Sequence, residues 1–179
     1  MAVALLAAFG GLVWSEKDFR WRKDRYDGWI ELGLFLGEQY PGKVLAAEAI
    51  GKTPYFSRLY TIDMLGLADA HIAKLPPVRQ ASPGHEKSDG AYVLGRRPDL
   101  IAGHLRSDLS VAPDLDPASY QAAGYRLAYL VNVANERQPS GQDIIPAPLG
   151  KEAIWLHVFR GYSYAVLVRD PAPTAPAPP

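Results

Sequence analysis

A cluster of titratable residues in the segment GHEKSDG has the side chains that acid–base chemistry or ligand binding requires. His85, Glu86 and Asp89 lie within five positions of one another, between Gly84 and Gly90. Imidazole and carboxylate groups carry protons, bind divalent metals and hydrogen-bond to hydroxyl groups. A solvated turn would have the same composition, and the spacing does not form a two-histidine metal motif. We therefore keep the three titratable residues as ligand-binding candidates and predict no metal site.

Two aspartates in the segment LYTIDMLGLAD form a second candidate for chemistry. Asp63 and Asp69 are separated by Gly66, and a pair of carboxylates is the arrangement used in glycoside chemistry. Asp69 lies where a helix is predicted to begin, so we interpret it as a helix N-cap rather than a ligand-binding acid. For Asp63 two interpretations stay open: it hydrogen-bonds to amides of the following loop, or it faces a ligand at the end of a strand.

Aromatic residues precede these acids and could supply flat surfaces for a sugar. Tyr55 and Phe56 are adjacent in TPYFS, and aromatic side chains of this kind are also common in cores. Ser57 has no nearby base in the sequence, so a nucleophilic triad is not indicated. The sequence also lacks the glycine-rich phosphate motifs and the HExxH zinc motif. We predict no cofactor and assign no catalytic residue.

The elements that must position these residues alternate between helical and extended patterns. Helical spacing starts at Asp24, and short helices are predicted over 66–75, 91–97 and 117–122. Strands are predicted over 43–50, 58–65, 99–105 and 125–133, with GKTP as a turn and 76–90 as a long loop. Residues 153–161 and 163–170 alternate well enough for a closing hairpin. The predicted fold class is therefore α/β, or α+β, with a mixed sheet flanked by helices.

Composition divides the 179 residues into three parts. Residues 1–15 are uncharged and apolar, which predicts either a buried first helix or the end of a truncated membrane span. Residues 16–170 have the composition of a single globular domain, and the tail 171–179 is too rich in proline and alanine to pack, which predicts disorder or polyproline II. Basic and acidic residues both number 19, so no nucleic-acid partner is indicated. The absence of cysteine excludes disulfides.

Four motifs within residues 25–105 resemble the soluble C-terminal domain of certain bacterial membrane glycosyltransferases. The similar proteins are arabinofuranosyltransferase-like enzymes of the GT-C class, which use polyprenyl-phosphate sugars. In that family, patterns of the type G-x-x-PY(F/Y)S, ID-x-LGL-x-D, GHEK-x-D and YVL-x-x-x-PD follow the last membrane helix. They are matched here by GKTPYFS (51–57), IDMLGLAD (62–69), GHEKSD (84–89) and YVLGRRPD (92–99).

The resemblance implies an accessory domain on the extracytoplasmic side of the cell membrane, active in cell-envelope polysaccharide synthesis. It would bind a glycan acceptor or a polyprenyl-phosphate-linked donor, although the catalytic membrane region of such transferases is not in this chain. The ligand-binding residues implied are Tyr55, Phe56, Asp63, His85, Glu86 and Asp89. Two alternatives stay open: a freestanding hydrolase that uses Asp63 with His85, and a purely structural domain.

Overall fold

A six-stranded mixed sheet, ordered β2-β1-β3-β6-β4-β5, forms the centre of the domain in a computed structural model that describes residues 26–78 and 83–170. The strands are β1 (Val44–Ala47), β2 (Tyr60–Asp63), β3 (Leu100–His104), β4 (Tyr125–Val131), β5 (Ile144–Pro146) and β6 (Tyr164–Arg169). Strand β1 pairs in parallel with β2 and β3, whereas β6 is antiparallel to β3 and β4. The α/β class with a mixed sheet is therefore confirmed. The predictions for 1–15 and 171–179 lie outside the described residues.

Six helices surround the sheet in the described part of the chain. They are α1 (Gly28–Gln39), α2 (Lys52–Ser57), α3 (Ala70–Ala73), α4 (Gly90–Gly95), α5 (Pro117–Ala122) and α6 (Lys151–Phe159). Four of them begin at an aspartate that accepts a hydrogen bond from a first-turn amide: Asp27, Asp69, Asp89 and Asp116. The N-cap role predicted for Asp69 is thereby confirmed, and local side-chain chemistry sets the start of these helices. Within 26–78 and 83–170, no helix is long and apolar enough to cross a membrane.

The two faces of the sheet carry separate hydrophobic cores. Leu45 and Ala47 of β1 pack with Leu32 and Leu36 of α1 on one face, which we call the α1 face. Ala46, between them, packs on the opposite face, with residues from α3, α4, α5 and α6. Alternation of the β1 side chains thus buries this strand on both sides, as is typical of central parallel strands.

Helix α2 lies directly against α1, and this close approach depends on two glycines. A Cβ atom on Gly33 would lie 2.8 Å from the carbonyl oxygen of Thr53, and one on Gly37 would lie 2.7 Å from that of Ser57. Because only glycine lacks a Cβ, the spacing of four residues lets the two helix backbones approach each other. The connection from β1 to β2 is therefore packed on the α1 face.

The structure corrects two predictions about secondary structure and adds one strand that was not predicted. The predicted turn GKTP opens helix α2, where Pro54 is tolerated because first-turn amides need no intrahelical acceptor. The segment 153–161 is not a strand of a hairpin but belongs mainly to α6, and its partner segment forms β6 between β3 and β4. Strand β5 was not predicted, since three residues carry too little periodicity.

Candidate functional site

Polar side chains gather at the edge of the sheet where the parallel strands end. Glu48 follows β1, Asp63 ends β2 and His104 ends β3, and the strand pairings bring Ala47 beside both Asp63 and Ala102. Strand β1 lies between β2 and β3, and the connections that lead to these two neighbours pack on opposite faces of the sheet. In open α/β sheets this reversal creates a crevice outside the carboxyl ends of the strands, where ligands bind. In this chain that position is between the ends of β1 and β3.

A buried carboxylate lies at this position, just after β1. Glu48 is only 6% exposed, and one of its oxygens accepts from both the backbone amide of His104, at 2.7 Å, and the Nδ1 atom of the same residue, at 2.9 Å. The Nδ1 atom of His85 lies 3.8 Å from the other oxygen. Both imidazole rings are about half exposed. The site therefore consists of a buried, fixed acid and two histidines that are accessible to solvent.

Aromatic rings form one wall of this Glu48–His104 site. The ring of Trp29 packs edge-on against Tyr164, with centroids 4.8 Å apart, and against His104 at 5.9 Å. Tyr164 is buried and donates its hydroxyl hydrogen to the carbonyl oxygen of Ala102 at 3.0 Å. Trp29 is held in place because its own carbonyl accepts from the hydroxyl of Thr53. These contacts restrict the orientation of the His104 ring.

The electrostatics of the site keep Glu48 ionised. Burial alone would raise the pKa of the Glu48 carboxyl, but the hydrogen bonds from His104 and the charges of His104 and His85 outweigh it, so this pKa lies below its ordinary value. Burial, together with the Glu48 charge, raises the pKa of the Tyr164 phenol well above its ordinary value. The tyrosine is consequently a neutral donor, and the carboxylate is an acceptor.

The hydrogen bonding determines which nitrogen of His104 is available for chemistry. An ionised carboxylate can only accept, so Nδ1 of His104 carries the hydrogen and Nε2 is left for a ligand. A carboxylate and the imidazole that it orients in this way can act together as a general acid–base pair. They can also form a fixed group that recognises hydroxyls. Among the residues that the structure describes, no group of three or more histidines, aspartates or glutamates could hold a metal ion.

The six ligand-binding residues predicted from the sequence are distributed over several places. His85 lies at the Glu48–His104 site. Glu86 accepts from the amide of Gly84 at 2.7 Å, and Asp89 caps α4 and bonds to Nε2 of His71 at 2.9 Å. Tyr55 and Phe56 lie on α2, where they line a groove of about 710 Å³ together with residues of α1. The structure thus connects only one of the six to the buried acid.

The remaining predicted residue, Asp63, is used by the backbone. It is buried, and its two oxygens accept from the amides of Leu65, at 2.9 Å, and Ala68, at 2.5 Å. Of the two interpretations that the sequence left open, the structure favours the first, in which this aspartate holds the loop that follows β2. The pairing of Asp63 with His85 in the hydrolase alternative is not present; Glu48 is the acid beside His85.

Substitution of Asp63 by asparagine tests this structural role. In the wild type both of these backbone N–H groups have a carboxylate oxygen as acceptor, whereas in the variant one of them would face the side-chain NH₂ group, which is a donor. We therefore expect the free energy of unfolding to fall by about 1–3 kcal/mol. Ligand binding at the Glu48–His104 site should be unchanged. Urea denaturation measures the first effect, and a variant that lost affinity but kept full stability would contradict the structural role.

Sequence reasoning missed Glu48, His104 and Trp29 as site residues. Glu48 lay inside the predicted strand 43–50, but β1 ends one residue before it. The available signal was the pair of polar residues near the ends of two apolar runs, KVLAAEAI and DLIAGHL. In a parallel sheet such ends meet at one edge, so the two residues could have been considered together.

The fold and this site define an α/β domain with a buried acid and two histidines at the point where its strand order reverses. The chain belongs to the family described as "Domain of unknown function (DUF8728)", whose model matches residues 17–168. No curated protein and no solved structure shows a match to the chain.

Proposed function

We propose that this chain is the extracytoplasmic accessory domain of a membrane glycosyltransferase, and that it binds a glycan acceptor or a lipid-linked sugar donor. The observation that carries the binding role is the Glu48–His104 pair at the ends of β1 and β3. The link to a transferase is supported by the motif resemblance over residues 25–105. Cell-envelope polysaccharide synthesis is the process in which such a domain would act.

The chemistry of the Glu48–His104 site suits a polyhydroxylated ligand. The Nε2 atom of His104 and the ring of His85 offer hydrogen bonds to hydroxyl groups, and the aromatic wall beside them includes Trp29. Sugars combine hydroxyl edges with apolar C–H faces, so a site that pairs polar groups with an aromatic ring is complementary to them. The zero formal charge of the chain agrees with a ligand whose recognised part is neutral.

Binding by the full chain in detergent tests this function. The probes are furanose and pyranose oligosaccharides and a short-chain polyprenyl-phosphate sugar. Saturation-transfer NMR and calorimetry measure their binding. We expect His104→Ala to weaken binding at least tenfold. The matched control is His71→Ala, because His71 has the same side-chain exposure as His104, 47%, and the same 2.9 Å contact with an acid. Failure of every probe, or equal losses in the two variants, would exclude this role for the site.

A second candidate function is hydrolysis, which the oriented His104 imidazole favours. In this case Glu48 would fix the ring while Nε2 moved a proton to or from the reacting oxygen. The chromogenic probe is a nitrophenyl glycoside. Turnover by the wild type that disappears in His104→Ala, but not in His71→Ala, would support the enzyme over the binding module.

A further inference from the structure

We propose that the C-terminal half of α6 contacts the surface of a lipid bilayer through Trp155, Leu156 and Phe159. Leu156 is 52% exposed and Phe159 is 83% exposed, and the rings of Trp155 and Phe159 pack together with centroids 5.6 Å apart. Ile154 points the other way and is buried in the core. Exposed apolar side chains that adjoin on one helix indicate a surface with a partner.

The side chains exposed at the C-terminal half of α6 are of types found at membrane interfaces, whereas the first turn carries an exposed acid, Glu152. Tryptophan, phenylalanine and leucine are the residues that insert at the boundary between headgroups and acyl chains. Lys151 precedes the apolar residues and Arg160 follows them, and both are exposed. Basic residues at the margins attract anionic headgroups, which favours a bilayer over an uncharged apolar partner.

The position of the α6 surface agrees with this partner. Helix α6 ends just before β6, which begins at Tyr164 beside the last residues of β3 and β4. The phenol of Tyr162 donates to the carbonyl oxygen of Gln142, in the loop between β4 and β5. The end of α6 therefore lies at the same edge of the sheet as the Glu48–His104 site.

The described part of the chain also begins at this edge of the sheet. The ring of Tyr26 lies under the guanidinium of Arg137, at 4.7 Å, and its hydroxyl is 3.5 Å from the carbonyl oxygen of Asn132, just after β4. The uncharged segment 1–15 precedes Tyr26, and only residues 16–25 separate them. Ten residues span at most about 36 Å. A bilayer that held segment 1–15 would thus be within reach of the α6 surface.

This arrangement would present the Glu48–His104 site to the membrane surface. The inference rests on the proposed function, because that function puts a bilayer beside the domain. A donor whose lipid stays in the membrane could then offer its sugar to His85 and His104 without leaving the bilayer. The ligand class that follows is a sugar on a membrane-anchored lipid rather than a free oligosaccharide.

The absence of cysteine from the chain allows a direct test. Phe159→Cys in the full chain is labelled with an environment-sensitive nitrobenzoxadiazole dye and incorporated into phosphatidylcholine–phosphatidylglycerol vesicles that contain a doxyl-lipid quencher. The matched control is Leu34→Cys, because Leu34 is 51% exposed and lies on α1. We expect at least twofold stronger quenching at position 159 than at position 34. Both labelled variants should keep the wild-type melting temperature.

Three outcomes would overturn the proposal. The first two are equal quenching at the two positions and no quenching at position 159. The third is a dye at position 159 that is already shielded from water in detergent and becomes exposed when the protein is diluted. The last result would assign the α6 surface to a second copy of the chain. Oligosaccharide binding is measured without vesicles, so failure of the bilayer contact is distinguishable from failure of the proposed function.

Discussion

Replacing Glu48 with glutamine is expected to lower the free energy of unfolding by about 1–3 kcal/mol at neutral pH. The buried carboxylate accepts two hydrogen bonds from His104, and an amide of the same size can satisfy only part of this pattern. Its NH₂ group would meet either Nδ1 of His104 or Nδ1 of His85. The same substitution should weaken ligand binding at least tenfold, because the His104 ring loses its fixed orientation.

The pH dependence of this difference follows from the lowered pKa of Glu48. A carboxyl group with a depressed folded-state pKa contributes stability that is fully present above its unfolded value, about 4.5, and is lost as the pH falls through the folded value. The free energies of unfolding of the wild type and of Glu48→Gln should therefore differ most above pH 4.5 and converge below it. Other acids with lowered pKa values, such as Asp99, are common to both proteins and cancel in the comparison.

Glu86→Gln is the control for this experiment. Among the residues that the structure describes, the Glu86 side chain accepts only from the amide of Gly84 in a loop, so its substitution should change the unfolding free energy by less than about 0.5 kcal/mol. Urea denaturation at several pH values between 3 and 7.5 measures both variants. A stability difference between wild type and Glu48→Gln that stayed constant over this range would contradict the assigned ionisation of Glu48.

The second large effect is expected from Gly103→Ala, at the next-to-last residue of β3. A Cβ atom at this position would lie 2.4 Å from the carbonyl oxygen of Ala112 and 2.8 Å from a methyl group of Val111. The obstructing oxygen belongs to the backbone, so the segment around Ala112 must move. Overpacking of this kind costs about 3 kcal/mol, which corresponds to a fall in melting temperature of roughly 6–12 °C.

This substitution should also affect the site. The amide of Ala112 donates to the carbonyl oxygen of His104 at 2.8 Å, so displacement of this segment reaches the ring that Glu48 orients. The control is Gly95→Ala at the end of α4, where a Cβ atom would meet no other atom within 4 Å and alanine favours the helix. Calorimetry compares the two, and equal melting temperatures would contradict the close approach of the 111–112 segment to β3.

The sequence by itself determined those elements that depend on neighbouring residues. Helical spacing identified α1, and the pattern around 117–122 predicted α5 over the observed residues. Asp69 was predicted as an N-cap because capping is a local hydrogen bond between a side chain and the next turn. The alternation in 163–170 likewise predicted β6.

Tertiary structure decided the elements whose local signals were ambiguous. Helix α6 contains alternating apolar residues that fit a strand equally well, and packing of Ile154 into the core selects the helix. Helix α2 starts with turn-forming residues, and its packing on Gly33 and Gly37 of α1 stabilises it. In both cases contacts with distant residues outweighed local propensity.

The candidate site itself was decided by the order of the strands. Glu48, His85 and His104 come from three separate segments, and they meet because β1 lies between β2 and β3 and the connections that lead to these two strands pack on opposite faces. Periodicity reports which side of an element is buried, but not which elements become neighbours. The sequence therefore predicted His85 as a ligand-binding residue, whereas only the assembled sheet identified the buried acid beside it.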